Sequence, residues 1–281
     1  MSSPTRIKKS VSKKLKLLKS PSSTCNIFGG CYNNFNVNMG VYVINCKMHV
    51  DRINKFKKYA SKAGIKACRL PCILGKKFSD KSISKMVDNG ILSKNADMTK
   101  IEVSINMSHY NAWQKMLNSC QDYCLVLEDD IEVKSSFIKD VNLILDSLSS
   151  HHIDFSILFL WNGNWNRTKS KQEKVLKIND KLTIMKETSS YNAGAAAYII
   201  SKKYAEYLTD SKRFFPIKIP QDMLMGKYYK KGNHLSLKMK FDKKKDCYIS
   251  PLLSMPCGGE GGTGKGTTQQ HSAPTIQEIL S

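Results

Sequence analysis

The chain has 281 residues, 41% of them hydrophobic, with 45 Lys and Arg against 23 Asp and Glu for a net charge of +22. Such length and apolar content exclude a wholly disordered chain and suit one large α/β domain or two small ones. The charge favours anionic partners (nucleotides, nucleic acid, acidic glycans or a membrane surface) or reflects a solvated basic surface, without choosing among them. No apolar run reaches the ~20 residues of a membrane span. The lysines between Lys13 and Lys19 break up any leader-like stretch, so the expectation is a cytoplasmic protein. The nine cysteines then read as reduced thiols. Cys68/Cys72 and Cys120/Cys124 are each four apart, with no second ligand pair at zinc-site spacing.

In chain order, residues 1–38 are rich in Ser, Lys and Asn and read as a basic, disordered arm. The folded domain is expected over residues 39–256. It opens on Val41-Tyr42-Val43-Ile44-Asn45, a strand of the buried type. A helix over residues 50–63 follows, with Ile53, Phe56 and Tyr59/Ala60 at helical spacing and Gly64 as its stop. Residues 67–73 read as a second strand. This β-α-β start predicts an α/β fold with a parallel sheet and right-handed crossovers.

Residues 101–117 carry a helix, with Ser104 or Ser108 as candidate caps. Residues 123–127 form a strand, and Ser135-Ser136 open a helix whose apolar face is Phe137, Val141, Ile144, Leu145 and Leu148. Strands are expected over 155–160, 182–186 and 195–200, a loop over 162–174, and a helix over 201–208. The chain turns Lys-rich after Tyr228, and residues 257–281 read as a Gly-rich mobile tail. Gly259 to Thr267 is similar to a phosphate-binding loop, but no apolar strand leads into it and too little chain follows for a nucleotide-hydrolase domain.

The chemistry concentrates where the third expected strand, Cys124-Leu125-Val126-Leu127, runs into Glu128-Asp129-Asp130. Ligands of open α/β sheets sit beyond the carboxyl ends of strands. Three adjacent acids repel one another and raise one another's pKa values. A hard divalent cation relieves that, and oxygen ligands suit Mn²⁺ or Mg²⁺. The alternative is a loop of solvated acids. Because alternate strand residues share a face, Glu128 and Asp130 are expected on one side. Asp130 is the first choice for metal contact, with Asp129 close behind.

Several segments in order resemble glycosyltransferase family 25. They are Val41 to Asn45 followed by Asp51-Arg52, Ser108-His109-Tyr110-Asn111-Ala112-Trp113, Leu127-Glu128-Asp129-Asp130, and Gly194-Ala195-Ala196-Ala197-Tyr198-Ile199-Ile200-Ser201. Pro216 to Asp222 is a looser match. Cys46-Lys47-Met48 and Asn106-Met107 depart from the family pattern. The resemblance implies a GT-A type nucleotide-diphospho-sugar transferase fold with a mostly parallel central sheet flanked by helices. It also implies a UDP-sugar donor, Mn²⁺, transfer of galactose or glucose with inversion, and a glycan or hydroxylysine-type protein acceptor.

Roles follow for named residues. Asn45 is placed to bond the base or ribose, or else to form a turn. Arg52 is placed to hold base or phosphate, or else to sit exposed on its helix. His109 orients an active-site group or is a satisfied structural histidine, while Trp113, on the same helical face, belongs to the core. Asn192 and Gly194 let backbone approach the donor, or make a tight turn. Sugar transfer by direct displacement needs a base, for which Asp222 is the candidate, followed by Glu187 and Asp210. Asp222 as the cap of a helix near Met223 is the alternative. Two other readings stand beside this one: a basic nucleic-acid-binding protein and an inactive GT-A domain that binds sugars. No RNP, zinc-finger or helix-turn-helix signature is present, so no specific nucleic-acid partner is expected.

Overall fold

The computed structural model describes residues 34–119, 121–161, 172–189, 194, 196–242, 247–254 and 276. Strand β1 (Met39–Asn45) is buried along its whole length, as its run of apolar residues requires of a central strand. Helix α1 (Val50–Lys62) buries Ile53, Phe56 and Ala60, and Gly64 ends it with φ of 70°, a conformation that costs glycine little. Strand β2 (Cys68–Pro71) pairs parallel with β1. Helices α2 (Asp80–Asp88) and α3 (Lys100–Leu117) then lead to β3 (Tyr123–Glu128), also parallel to β1.

The cap of α3 is Thr99, not Ser104 or Ser108. Thr99 and Glu102 form a reciprocal capping box. Ser104 and Ser108 lie inside the helix and donate to the Ile101 and Ser104 carbonyls.

Short β4 (Glu132–Val133) and α4 (Phe137–Ser150) precede β5 (Ile157–Trp161), β6 (Gln172–Lys177), β7 (Thr183–Glu187) and β8 (Ala197–Ser201). Residues 172–174 therefore begin a strand, where the sequence suggested loop. Helices α5 (Lys202–Thr209), α6 (Ser211–Phe214) and α7 (Gln221–Lys227) come next. The chain finishes in β9 (His234–Leu237), β10 (Lys240–Asp242), β11 (Cys247–Ile249) and β12 (Leu253–Ser254).

Eight strands form the main sheet in the order β2-β1-β3-β8-β5-β9-β7-β6. Only β8 and β7 run against the rest, because β8 is antiparallel to β3 and β5, and β7 to β9 and β6. The expected α/β architecture, with a mostly parallel sheet flanked by helices, is what the chain adopts. One face packs on α1 and α4 through Phe56, Phe137 and Leu127. The other packs on α2, α3, α5 and α7 through Ile83, Trp113, Leu208 and Met225. Each fully buried Phe or Leu contributes roughly 1.5–3 kcal/mol.

Three expectations change. Cys46 and Cys72 form a disulfide with Cα atoms 4.7 Å apart, and Cys68 is also disulfide-bonded, so these are not reduced thiols. The bond ties the segments that leave β1 and β2. Residues 34–38, read as part of the arm, pack on α4: Phe35 and Val37 join its core and Asn36 bonds Asn142 and Asp146. Ile276, within the segment read as a mobile tail, is buried, and its N–H donates to the Met98 carbonyl at 2.7 Å.

Candidate active site

The site grows from the carboxyl ends of β1 and β3, which lie side by side with Ile44 opposite Glu128. Strand alternation holds as far as Glu128. Its side chain follows Val126 to the α3 face, where Oε1 lies 3.3 Å from His109 Nε2. Asp129 and Asp130 belong to the turn beyond. That turn carries both to the α1 side, where Arg52 Nη1 lies 3.6 Å from Asp129 Oδ1 and 3.7 Å from Asp130 Oδ2. The expectation that Glu128 and Asp130 project to one face is therefore corrected: alternation needs a continuing strand, and β3 stops at Glu128.

Asn45 ends β1 and is almost wholly buried. Its Nδ2 donates to Asp129 Oδ2 and to the His49 carbonyl, the latter at 3.1 Å. Asn45 thus fixes both the turn into α1 and the orientation of Asp129. Arg52 is committed to the two aspartates, so part of the neutralisation assigned to a cation comes from a guanidinium. Nearby, Lys55 Nζ pairs with Glu132 at 2.6 Å and steadies the chain beyond the acid turn.

The electrostatics are those of carboxylates in excess. Burial pushes the Asp130 carboxyl up to about 7, with the Glu128 charge adding to the rise and Arg52 opposing it. Burial also raises Asp129, while the Asn45 hydrogen bond and Arg52 pull it back. Asp130 Oδ1 and Asn45 Oδ1 are buried without a hydrogen-bond partner. Among the described residues, no three His, Cys, Asp or Glu side chains converge in a ready-made metal cage. The donor set still fits a hard cation: a buried oxygen of Asp130 lacks a hydrogen-bond partner, and Asp129 and Asp130 share one guanidinium.

Asp222 lies on the α3 side of this group. It is the second residue of α7, and its Oδ1 accepts from the Met223 N–H at 2.8 Å. The Gly194 N–H also bonds this carboxyl, so the segment before β8 and the start of α7 meet at Asp222. Gly194 has φ of 55°, the left-handed region that disfavours a side chain. Burial raises the Asp222 carboxyl, and backbone N–H groups that bond it, those of Met223 and Gly194 among them, moderate the rise. The alternative of Asp222 as a helix cap is met only in part: the capping position is Pro220, and the bond to Met223 is local.

The structure thus gathers Asn45, Arg52, Glu128, Asp129, Asp130, His109, Gly194 and Asp222 around one end of the sheet. Asn192 lies outside the described residues. The two reserve candidates for a base are engaged elsewhere. Glu187 closes β7, which runs against β3, and so lies toward the opposite end of the sheet. Asp210 caps α6 through the Lys212 N–H at 3.0 Å and pairs with Arg213.

Two residues with site contacts were not singled out from sequence. Asn106, buried on α3, donates to the Ile219 carbonyl at 2.7 Å and accepts from the Gln221 N–H. It grips the chain on both sides of Pro220, just ahead of Asp222. Tyr198 on β8 places its hydroxyl 2.9 Å from both His109 Nδ1 and Trp113 Nε1. Its position in a buried strand facing a His/Trp helix was the available signal.

Residues 38–225 match the family described as glycosyltransferase family 25 (LPS biosynthesis protein). A "Glycosyltransferase 25 family member" of Aedes aegypti is 28% identical over 183 residues, 61% of this chain and 28% of that protein. Procollagen galactosyltransferase 2 of Homo sapiens is 21% identical over 232 residues, 80% of this chain and 36% of that protein. The chain spans about a third of the length of these curated relatives. Among solved structures, A197 from STIV has a TM-score of 0.39 and 11% identity, covering 77% of this chain and 92% of that one.

Proposed function

The chain belongs to glycosyltransferase family 25, and from that premise we propose that it transfers a hexose, galactose or glucose, from a UDP-sugar to a hydroxyl group. The acceptor is a glycan or a hydroxylysine-type protein side chain, and the domain works in the GT-A manner with inversion at the sugar carbon. The observation that carries this reading is the surplus of carboxylate at the ends of β1 and β3, with Asp130 Oδ1 buried and unpartnered.

The protein's own groups divide the work. Asn45 orients Asp129, and Arg52 balances part of the charge on Asp129 and Asp130. Asp130, with Glu128 or Asp129, would hold Mn²⁺ or Mg²⁺. When bound, such an ion offsets negative charge on the diphosphate leaving group. Asp222 is the proton acceptor for the acceptor hydroxyl. Its raised proton affinity brings it nearer to neutral pH, where a general base works best. The Gly194 and Met223 N–H groups aim its carboxylate.

Calorimetry of UDP binding with and without Mn²⁺ tests the reading. UDP affinity is expected to fall strongly when metal is chelated, and UDP-sugar hydrolysis to require the metal. Equal UDP affinity in both conditions would remove the metal site. Salt-sensitive DNA binding without metal, and no UDP binding, would replace the reading with a nucleic-acid partner.

A further inference from the structure

A buried polar chain runs from the core to the acid group. His109 and Trp113 lie four residues apart on α3 and face the same way. Tyr198 faces them from β8 and is fully buried. Trp113 Nε1 lies 2.9 Å from the Tyr198 hydroxyl, His109 Nδ1 lies 2.9 Å from the same oxygen, and His109 Nε2 lies 3.3 Å from Glu128 Oε1.

The direction of each bond follows from counting protons. An indole N–H can only donate, so the Tyr198 oxygen accepts from Trp113. Burial pushes the Tyr198 phenol far above its ordinary range, so it keeps its own proton. Among the described contacts of that hydroxyl, His109 Nδ1 is the acceptor available. Nδ1 therefore accepts, and the ring proton sits on Nε2, facing Glu128. The other neutral tautomer strands the buried phenol proton and sets the Nε2 lone pair against a carboxylate. An imidazolium strands the phenol proton as well. Each leaves a buried polar group unmet, which native interiors avoid.

We infer that Trp113, Tyr198 and His109 form a one-way donor chain that ends on Glu128 and holds its carboxylate on the α3 face. Tyr198 and His109 are then positioning residues. Glu128 stays on one face of the sheet while Asp129 and Asp130 turn to Arg52 on the other. The chain is a property of the fold; only its effect on turnover rests on the transferase reading above.

The test is ¹⁵N NMR of the histidines in the full chain, with the His109 signal identified by its loss in His109→Gln. In the wild-type protein Nδ1 is expected unprotonated and Nε2 protonated. Tyr198→Phe removes the donor to Nδ1 and keeps the ring, so the tautomers should mix. UDP-sugar hydrolysis should then fall roughly tenfold, the scale of one lost hydrogen bond to a charged group. Trp113→Phe leaves the Tyr198 proton with His109, so it should keep the wild-type tautomer. A wild-type His109 protonated at Nδ1 overturns the chain, whether or not the protein transfers sugar. A tautomer unchanged in Tyr198→Phe overturns the role of Tyr198. Mixed tautomers with unchanged hydrolysis overturn the positioning role. Should Tyr198→Phe fail to fold, the wild-type spectrum still decides the direction of the chain. A wild-type protein that turns over no donor, yet shows the expected tautomer, fails the transferase reading and leaves the chain standing.

Discussion

Buried acid groups occupy both ends of the main sheet, and their surroundings differ. At the end where β7 finishes, Glu187 is 2% exposed. It accepts hydrogen bonds from Ser236 Oγ at 3.0 Å and from Gln172 Nε2, both neutral donors delivered by neighbouring strands. At the end where β3 finishes, two of three consecutive acids, Asp129 and Asp130, share one guanidinium, and Asp130 Oδ1 has no hydrogen-bond partner. Donors supplied by the fold make an acid part of the architecture. Acids packed more closely than donors can serve them leave electrostatic work for something that binds. The sheet places both acid groups; neutral side chains of neighbouring strands serve Glu187, whereas a guanidinium serves Asp129 and Asp130.

The contrast predicts separable phenotypes. The largest effect belongs to Asp222→Asn, which keeps the shape of the side chain and removes a proton acceptor. Transfer should drop about 100-fold or more while UDP and metal affinity persist, since general-base catalysis contributes to the chemical step alone. Normal transfer by this variant would show that the base lies elsewhere, and it would weaken the contrast, because Glu187 and Asp210 are held in structural contacts.

Asp130→Asn should act on stability in the unusual direction. With its carboxyl raised to about 7, the folded state holds the Asp130 proton more tightly than the unfolded chain does. The resulting stability is complete below pH ~4, the unfolded value, and is lost as pH rises through about 7. In the presence of chelator, Asp130→Asn should therefore gain on wild type between these values and hold its lead above them. At roughly 1.4 kcal/mol for each tenfold change in proton affinity, the ceiling is about 4 kcal/mol. Thermal melts across this range measure it. A variant that loses stability at pH 8 without metal would show that Asp130 is an architectural acid after all.

Glu187→Ala should do the reverse. It removes the acceptor of the buried Ser236 hydroxyl, for a loss of about 1–3 kcal/mol in denaturant unfolding, with UDP affinity unchanged. If UDP binding falls while stability holds, the two ends of the sheet do not divide as described.

Much of this organisation was legible in the chain. Buried runs such as Val41 to Ile44 and Ile157 to Trp161 announce central strands because both faces of each strand are covered. Strand β6, Gln172–Lys177, did not announce itself: it is an edge strand with polar and charged residues facing outward. Strand β9, His234–Leu237, is four residues long and follows a Lys-rich segment, too short for periodicity to show. The acids were visible as a run, but the direction of Asp130 was not, because it depends on where β3 stops pairing. The Cys46–Cys72 bond was equally out of reach. It joins neighbouring strand ends, and that neighbourhood exists only once β1 and β2 pair.

The smallest expected effect tests α4, which receives residues 34–38. The Asn36 N–H donates to Asn142 Oδ1 at 3.0 Å, its Nδ2 donates to Asp146 Oδ2 at 2.8 Å, and Asn142 Nδ2 returns a bond to the Asn34 carbonyl at 2.8 Å. These bonds are exposed and compete with water, so they add little. Phe35 and Val37 are half-buried against the core and supply most of what the segment contributes. The Asn38 carbonyl also accepts from the Asp122 and Tyr123 N–H groups, which aligns the start of β3 with β1. A chain beginning at residue 34 is the reference. One beginning at residue 39 should lose about 1–2 kcal/mol, the worth of two half-buried apolar side chains. For a domain of this size that is a fall of roughly 2–8 °C in Tm. UDP affinity should be equal in both truncations, since the hydrogen bonds and packing described for the segment involve α4, the core and the start of β3 rather than a site residue. Equal melting of the two would show that residues 34–38 rest on α4 without stabilising it. A loss of UDP binding in the shorter chain would instead show that the register of β1 and β3, which sets Asn45 beside Asp129, depends on this strap.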